Sequence, residues 1–262
     1  MTESSTGPRK VNRVFAIGYG AVCYLGFLAA FLYAIGFVGN LWGPRRIDHA
    51  VAAPVGQAIV VNVVLLGLFA VQHSVMARPA FKRWWTRVVP QPLERSTYVL
   101  LSNLVLFLLY WQWRTMPAVV WDVKFSAGRS ALWVLFWIGW GIALASSFMI
   151  SHFDLLGLRQ VYAVWRGEPQ SDIDFRAPLL YRVVRHPLMV GFIVAFWATP
   201  TMTAGHLLFA MATTAYILIA VQLEERDLVA ALGTQYRNYR RQVPMLLPRP
   251  RRLRNDPTSN VP

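Results

Sequence analysis

The sequence predicts an all-α fold, a polytopic bundle of membrane-spanning helices, on three observations. Hydrophobic residues fill 56% of its 262 positions and charged residues only 15%, where a soluble domain carries about a quarter charged. The charges cluster, leaving four long uncharged runs near 14–40, 52–76, 97–113 and 130–150. About 20 apolar residues in a helix cross a hydrocarbon core of roughly 30 Å. A fifth run, Pro187–Leu223, holds 37 residues without a charge. As one straight helix it would reach roughly 55 Å at about 1.5 Å per residue, far beyond that core.

Each element has its own justification. The first run is too long for a cleavable signal peptide, and no small-x-small site follows it. It carries the lone cysteine, Cys23, which excludes an internal disulfide and Cys-rich metal sites. The second ends on His73 and the block "ARPAFKRWW", residues 77–85, a basic and aromatic anchor. The third is short, with Tyr98, Tyr110, Trp111 and Trp113 at its ends to suit an interfacial belt. The fourth leads into "SHFDLLGLRQVY", residues 151–162. Gly18-x-Gly20 and Gly139-x-Gly141 lack the third glycine and preceding strand of a dinucleotide fingerprint, and predict small-residue helix packing.

The fifth run contains "ATPTMT", residues 198–203, where Pro200 and the constrained Thr199 interrupt a helix. A hairpin follows, with arms near 187–199 and 203–223, the first short for a full crossing. The bundle therefore has four spans plus this proline-broken hairpin, five to six membrane helices in all. Beyond Leu223, "EERDLVAALGTQYRNYRRQVPMLLP" predicts amphipathic C-terminal helices at the membrane surface, with Gly233 as a C-cap and Thr234 capping the next helix. The organisation is an arm (1–13), N-terminal membrane helices (14–129), a core carrying the site (130–248) and a disordered basic tail (249–262).

Twenty-one of the 26 Lys and Arg fall in 1–13, 77–96, 151–186 and 224–262. The positive-inside rule makes that side, with both termini, the cytoplasm. The net charge of +14 is then read as basic loops facing anionic lipid rather than nucleic acid.

The chemistry-bearing residues collect on that side. Pro187 at a helix start gives up no hydrogen bond, so Arg185, His186 and the free helix N-terminus can receive a carboxylate, or serve as a basic interfacial anchor. Glu224 and Glu225 close the hairpin's second arm and should face Arg185 and His186. They can hold an ammonium, a sulfonium or a ribose diol, or form salt bridges to Arg182, Arg185 or Arg226. His152 and Asp154, with Arg159 and Tyr162 beyond them, form either a His-x-Asp base or a polar juxtamembrane turn. His73, inside a span, is a functional candidate or an interhelical hydrogen-bonder to Ser74 or Asn103. His49 and His206 are assigned to the outer surface without a role.

The combination of "RHPLMVG", a proline-broken hairpin and "LEERDLVAALGTQYRNYRRQVPMLLP" resembles the isoprenylcysteine carboxyl methyltransferase-like membrane enzymes, over roughly 130–248. With "AVQHSVMARPAFKRWW", "LERSTYVL" and "SHFDLLGLRQVY" added, the pattern is similar to the methanethiol S-methyltransferase branch, close to NnrU-like proteins, over most of the chain. The resemblance implies an S-adenosylmethionine-dependent enzyme of the bacterial inner membrane that converts methanethiol, or another small thiol, to a methyl sulfide at the cytoplasmic face. It needs no metal and no obligate protein partner. It implies Arg185, His186, Pro187, Glu224 and Glu225 at the cofactor; the residues themselves add Tyr181 to that site, a base among His152 with Asp154, Tyr181 and His186, and His73 and Arg159 at the substrate pocket. Met189 stands where prenylcysteine enzymes commonly carry tyrosine, which weakens a bulky prenyl acceptor. The alternatives are a membrane methyltransferase for a carboxyl or lipid amine, and a non-catalytic NnrU-like protein.

Overall fold

The computed structural model describes residues 11–169 and 177–248; the expected tail and most of the N-terminal arm lie outside them. The described residues form a helical bundle. In order they are α1 (Arg13–Gly39), β1 (Val51–Ala52), α2 (Val55–Ala77), α3 (Pro79–Trp85), α4 (Gln91–Gln112), β2 (Arg114–Thr115), β3 (Val119–Asp122) and α5 (Ser126–Ile150). There follow α6 (His152–Leu155), α7 (Leu158–Arg166), a 3-10 turn (Leu179–Arg182), α8 (Pro187–Trp197), β4 (Thr201–Thr203), α9 (Ala204–Leu232) and α10 (Thr234–Gln242).

Four helices, α1, α2, α5 and α9, are long and apolar enough to cross a membrane. Their outward faces expose Val22, Leu25, Val60, Val64, Ile138 and Ile219, apolar surface that suits contact with lipid tails. The chain is an integral membrane protein. The third expected span, 97–113, is found as α4, but its helix starts six residues earlier and takes Glu94 and Arg95 into its first turns. That makes α4 less apolar than the other four. It packs against α1 on one side and α2 on the other.

The hairpin forms as expected. Pro187 opens α8, which stops at Trp197, before Pro200. With 11 residues, α8 is too short to cross a core of roughly 30 Å at about 1.5 Å per residue. Thr201–Thr203 continue it as β4, pairing antiparallel with β3 so that Val119 faces Thr203 and Asp122 faces Thr201. A parallel pair, β1 with β2, lies at the same end. These strands were not legible in sequence, because two to four residues are too few for a period of two to show.

Two aspartates tie this end together. Asp48 accepts from Thr203 Oγ1 at 2.5 Å and from Asn40 Nδ2 at 2.6 Å. Asp122 accepts from Thr201 Oγ1 at 3.1 Å and pairs with Arg129 at 3.2 Å. His206, expected at the surface, is at this end but buried, its Nε2 at 2.9 Å from the carbonyl of Phe196. At the opposite end Gly233 caps α9 with φ +58, as expected, while Thr234 is the first residue of α10 rather than its cap.

Lipid tails are as apolar as Leu, so burial alone does not join membrane helices; close van der Waals contact does. The tightest joint is α5 against α8. Gly139 and Ala143 on one face Gly191 and Ala195 on the other, each pair four residues apart. A Cβ on Gly139 would lie 2.6 Å from Ala195 N, and one on Gly191 would lie 2.6 Å from Ala143 N. This is the small-residue packing expected at Gly139. Gly141 and Gly18 have nothing within 4 Å, so the expectation fails there. An aromatic core of Phe37, Trp113, Phe136, Trp140 and Phe209 fills the bundle towards its strand end.

Candidate functional site

The chain enters α8 through the 3-10 turn and Val183–His186. This entry is held from below by the segment after α10: Arg185 N donates to the carbonyl of Pro244 at 2.9 Å, and His186 N to that of Met245 at 3.2 Å. α9 runs back alongside α8 and stays helical to Leu232, so Glu224 and Glu225 sit within it rather than at its end.

There the expected pairs meet. Glu225, only 5% exposed, accepts Arg185 Nε at 2.6 Å and His186 Nε2 at 3.2 Å on Oε1, and Arg240 Nε at 3.2 Å on Oε2. Arg185 Nη1 donates to the carbonyls of Arg240, at 3.0 Å, and Val243, at 2.5 Å. A bidentate grip on a ligand carboxylate needs two free, adjacent N–H groups; Arg185 has committed Nε and Nη1. Glu224 differs. It is 47% exposed and lies 3.6 Å from His186 Nδ1. The two carboxylates have separate surroundings: Glu225 locks α8, α9 and α10 together, and Glu224 opens outward.

Tyr181 is buried beside them. Its hydroxyl donates to the carbonyl of Ser146 at 3.3 Å, and its own carbonyl accepts from Tyr239 at 2.6 Å. Burial, followed by the charge of Glu224 and the neighbouring Tyr239, raises the Tyr181 phenol well above its ordinary range. Its hydroxyl proton is held by the Ser146 carbonyl. Burial also pushes Tyr239 up to about 12, with Arg185 opposing it.

Other expected residues lie elsewhere. His152, 2% exposed, does not pair with Asp154. Its Nδ1 meets Ser147 Oγ at 2.9 Å and its Nε2 meets Tyr24 OH at 3.2 Å, while the ring stacks on Phe148 with centroids 4.1 Å apart. Residues two apart on a helix do not share a face, so Asp154 turns instead to Arg159, at 3.6 Å, and Gln160, at 3.2 Å. His73 bonds between helices, with partners other than those expected: Tyr98 at 2.8 Å and Ser102 at 3.2 Å. Ser74 meets Tyr216, and Asn103 donates to the carbonyl of Cys23.

Burial pulls His152 below its ordinary value of 6.5. The unfolded chain therefore takes up a proton before the folded one, and stability rises with pH. His152's contribution is complete above about 6.5 and is lost as the pH falls below it. Melting curves in detergent should show this acid-side loss in the wild-type chain, and a shallower one in His152→Gln.

Sequence reasoning missed Arg240, Tyr239 and Tyr98. Arg240 and Tyr239 were read only as an amphipathic surface, and Tyr98 only as an interfacial aromatic. A guide to Tyr98 was available: like His73 it is a polar group near a span's end.

Helices long enough to cross a membrane, closed at one end by a buried Arg–His–Glu cluster with a half-exposed carboxylate at its edge, define a polytopic membrane protein with a charged cluster at one end of its bundle. The profile of the NnrU protein family matches residues 61–243, and the chain belongs to that family. It is 69% identical to the methanethiol S-methyltransferase of Mycobacterium tuberculosis, over 92% of this chain and 99% of that protein. It is 58% identical to methanethiol S-methyltransferase 2 of Bradyrhizobium diazoefficiens, over 90% of this chain and 91% of that one. More distantly, it is 35% identical to mouse Nurim over 64% of this chain. No solved structure is significantly similar.

Proposed function

We propose that this protein methylates methanethiol to dimethyl sulfide, using S-adenosylmethionine, at the cytoplasmic face of a bacterial inner membrane, with both termini on that side. The observation that supports it most is the meeting of Arg185, His186, Glu224 and Glu225 at one end of the bundle, in a chain 69% identical over nearly its whole length to a protein named for this reaction.

The residues present fit the donor. Half-exposed Glu224 suits its ribose hydroxyls or ammonium, and the N-terminus of α8 at Pro187 suits its carboxylate, because Leu188 N–H has no helical partner there. When bound, the donor supplies an electrophilic sulfonium methyl. Arg185 and Glu225 hold the surrounding helices and, by their charge, the edge of this site.

The nucleophile must be a thiolate, and an alkyl thiol is little ionised at neutral pH. His186 suits the task of taking its proton. With Nε2–H donating to Glu225, the Nδ1 lone pair is left as acceptor, and Glu224 stabilises the imidazolium that forms. Protonated Tyr181 positions the turn before it. A base of this kind contributes about 10²–10⁴-fold. His186→Gln should lose activity on that scale, and the loss should shrink as rising pH ionises the thiol unaided. A loss independent of pH would remove His186 from that role.

Gas chromatography of cells expressing the chain and fed methanethiol tests the reaction: dimethyl sulfide above the empty-vector level is expected. Calorimetry of the purified protein with S-adenosylmethionine tests the donor. Absence of product despite correct insertion overturns the proposal.

A further inference from the structure

A polar cleft of about 260 Å³ lies at the same end of the bundle and shares no residue with the cluster around Glu225. Lys82 of α3, Gln91, Glu94 and Arg95 of α4, Asp154 of α6 and Gln160 of α7 line it. Its charges balance, two positive against two negative. Among the described residues Lys82 and Glu94 form no side-chain ion pair within 4.0 Å. Gln160 commits its amide N–H to Asp154, at 3.2 Å from Oδ1, and leaves Oε1 buried with no hydrogen-bond partner. That atom is closed to solvent, so the acidic acceptors lining the cleft are the carboxylates of Glu94 and Asp154. Arg95 is anchored through Nε to the carbonyl of Leu155 at 3.0 Å and over the ring of Tyr98 at 5.7 Å.

The position of the cleft narrows its ligand. α3 carries Phe81, Trp84 and Trp85, with Phe81 stacked on Trp85 and edge-on to Trp84, and Trp84 half-exposed. Such aromatics sit at the level of lipid headgroups, and Lys82 belongs to the same two turns. We propose that the cleft binds the headgroup of a zwitterionic membrane phospholipid with a primary ammonium. Its phosphodiester lies on Lys82 and Arg95, and its ammonium on Glu94 and Asp154. Burial, reinforced by Arg95 and Arg78, pulls the Lys82 ammonium below the usual lysine range although Glu94 and Asp154 oppose it. A phosphate oxyanion restores it. A choline headgroup has no N–H to offer these carboxylates, and a glycerol headgroup brings no cation to them.

Native mass spectrometry of the full chain in detergent tests this, with equimolar phosphatidylethanolamine, phosphatidylcholine and phosphatidylglycerol. Retention of the ethanolamine lipid about tenfold over each of the others is expected, the scale of one charge-assisted hydrogen bond. Lys82→Gln and Glu94→Gln should each bring the ratio towards one. Equal retention of all three lipids by the wild-type chain overturns the proposal, and needs no variant to fold. Displacement of the retained lipid by soluble phosphoethanolamine at equal concentration would keep the headgroup chemistry and overturn the lipid as its source.

Discussion

Glu225→Ala is expected to abolish activity and to lower the melting temperature more than any other single change in the cluster. Removing this carboxylate leaves Arg185, buried beside it, and His186 without their shared acceptor, and frees Arg240. Breaking a buried ion pair by deleting one partner costs about 3–5 kcal/mol, because the remaining charge is uncompensated. The damage should be localised. Arg185 joins α8 to the carbonyls of Arg240 and Val243, so residues from α10 onward should become accessible to limited proteolysis while the long helices remain inserted. Glu225→Gln keeps the shape and one acceptor, and should fall between wild type and alanine. Glu224→Gln, at a half-exposed carboxylate, should leave the melting temperature nearly unchanged and weaken donor binding measured by calorimetry. If Glu224→Gln and Glu225→Gln behaved alike in both measurements, the division of labour between the two acids would be wrong.

Gly191→Ala is expected to be nearly as severe, for a steric reason. Its new methyl would meet Ala143 N and the Gly139 carbonyl, both at 2.6 Å. Both are backbone atoms, so no rotamer change relieves the contact, and α5 and α8 must separate. Overpacking of this kind costs typically about 1–3 kcal/mol. The functional loss should exceed the stability loss, because Arg185 and His186 lead directly into α8, and a displacement of about 1 Å at a reacting centre can cost about 100-fold. Gly141→Ala is the control. With nothing within 4 Å of its Cβ position, it should keep full activity and gain slightly in helix stability. Thermal shift and methyl-transfer rate, measured on all three proteins, check both statements.

The legible parts of this protein were those written in local pattern. Uncharged runs marked the helices, Pro187 marked the start of α8, Pro200 its interruption, and Gly233 the end of α9. The meeting of Arg185–His186 with Glu224–Glu225 was also legible, because a hairpin must return its second arm to the side where the first began. The errors share one origin. His152 and Asp154 looked like a pair because they are close along the chain, yet the turn of α6 sends them to Ser147 and Tyr24 on one side and to Arg159 and Gln160 on the other. Arg240 went unseen for the opposite reason: it is 15 positions from Glu225 along the chain and 3.2 Å from it in space.

By itself the sequence determined that this chain crosses a membrane, where α8 begins and α9 ends, and which charged side chains gather at one end, since these follow from hydrophobicity, proline and glycine acting within a few residues. Only the tertiary structure decided which acid is buried and which faces outward, that α8 meets α5 through bare backbone, and that a separate charge-balanced cleft opens beside α3. Those outcomes depend on the rotation of each helix about its axis. That rotation is set by packing against neighbours distant in sequence, and no local pattern records it.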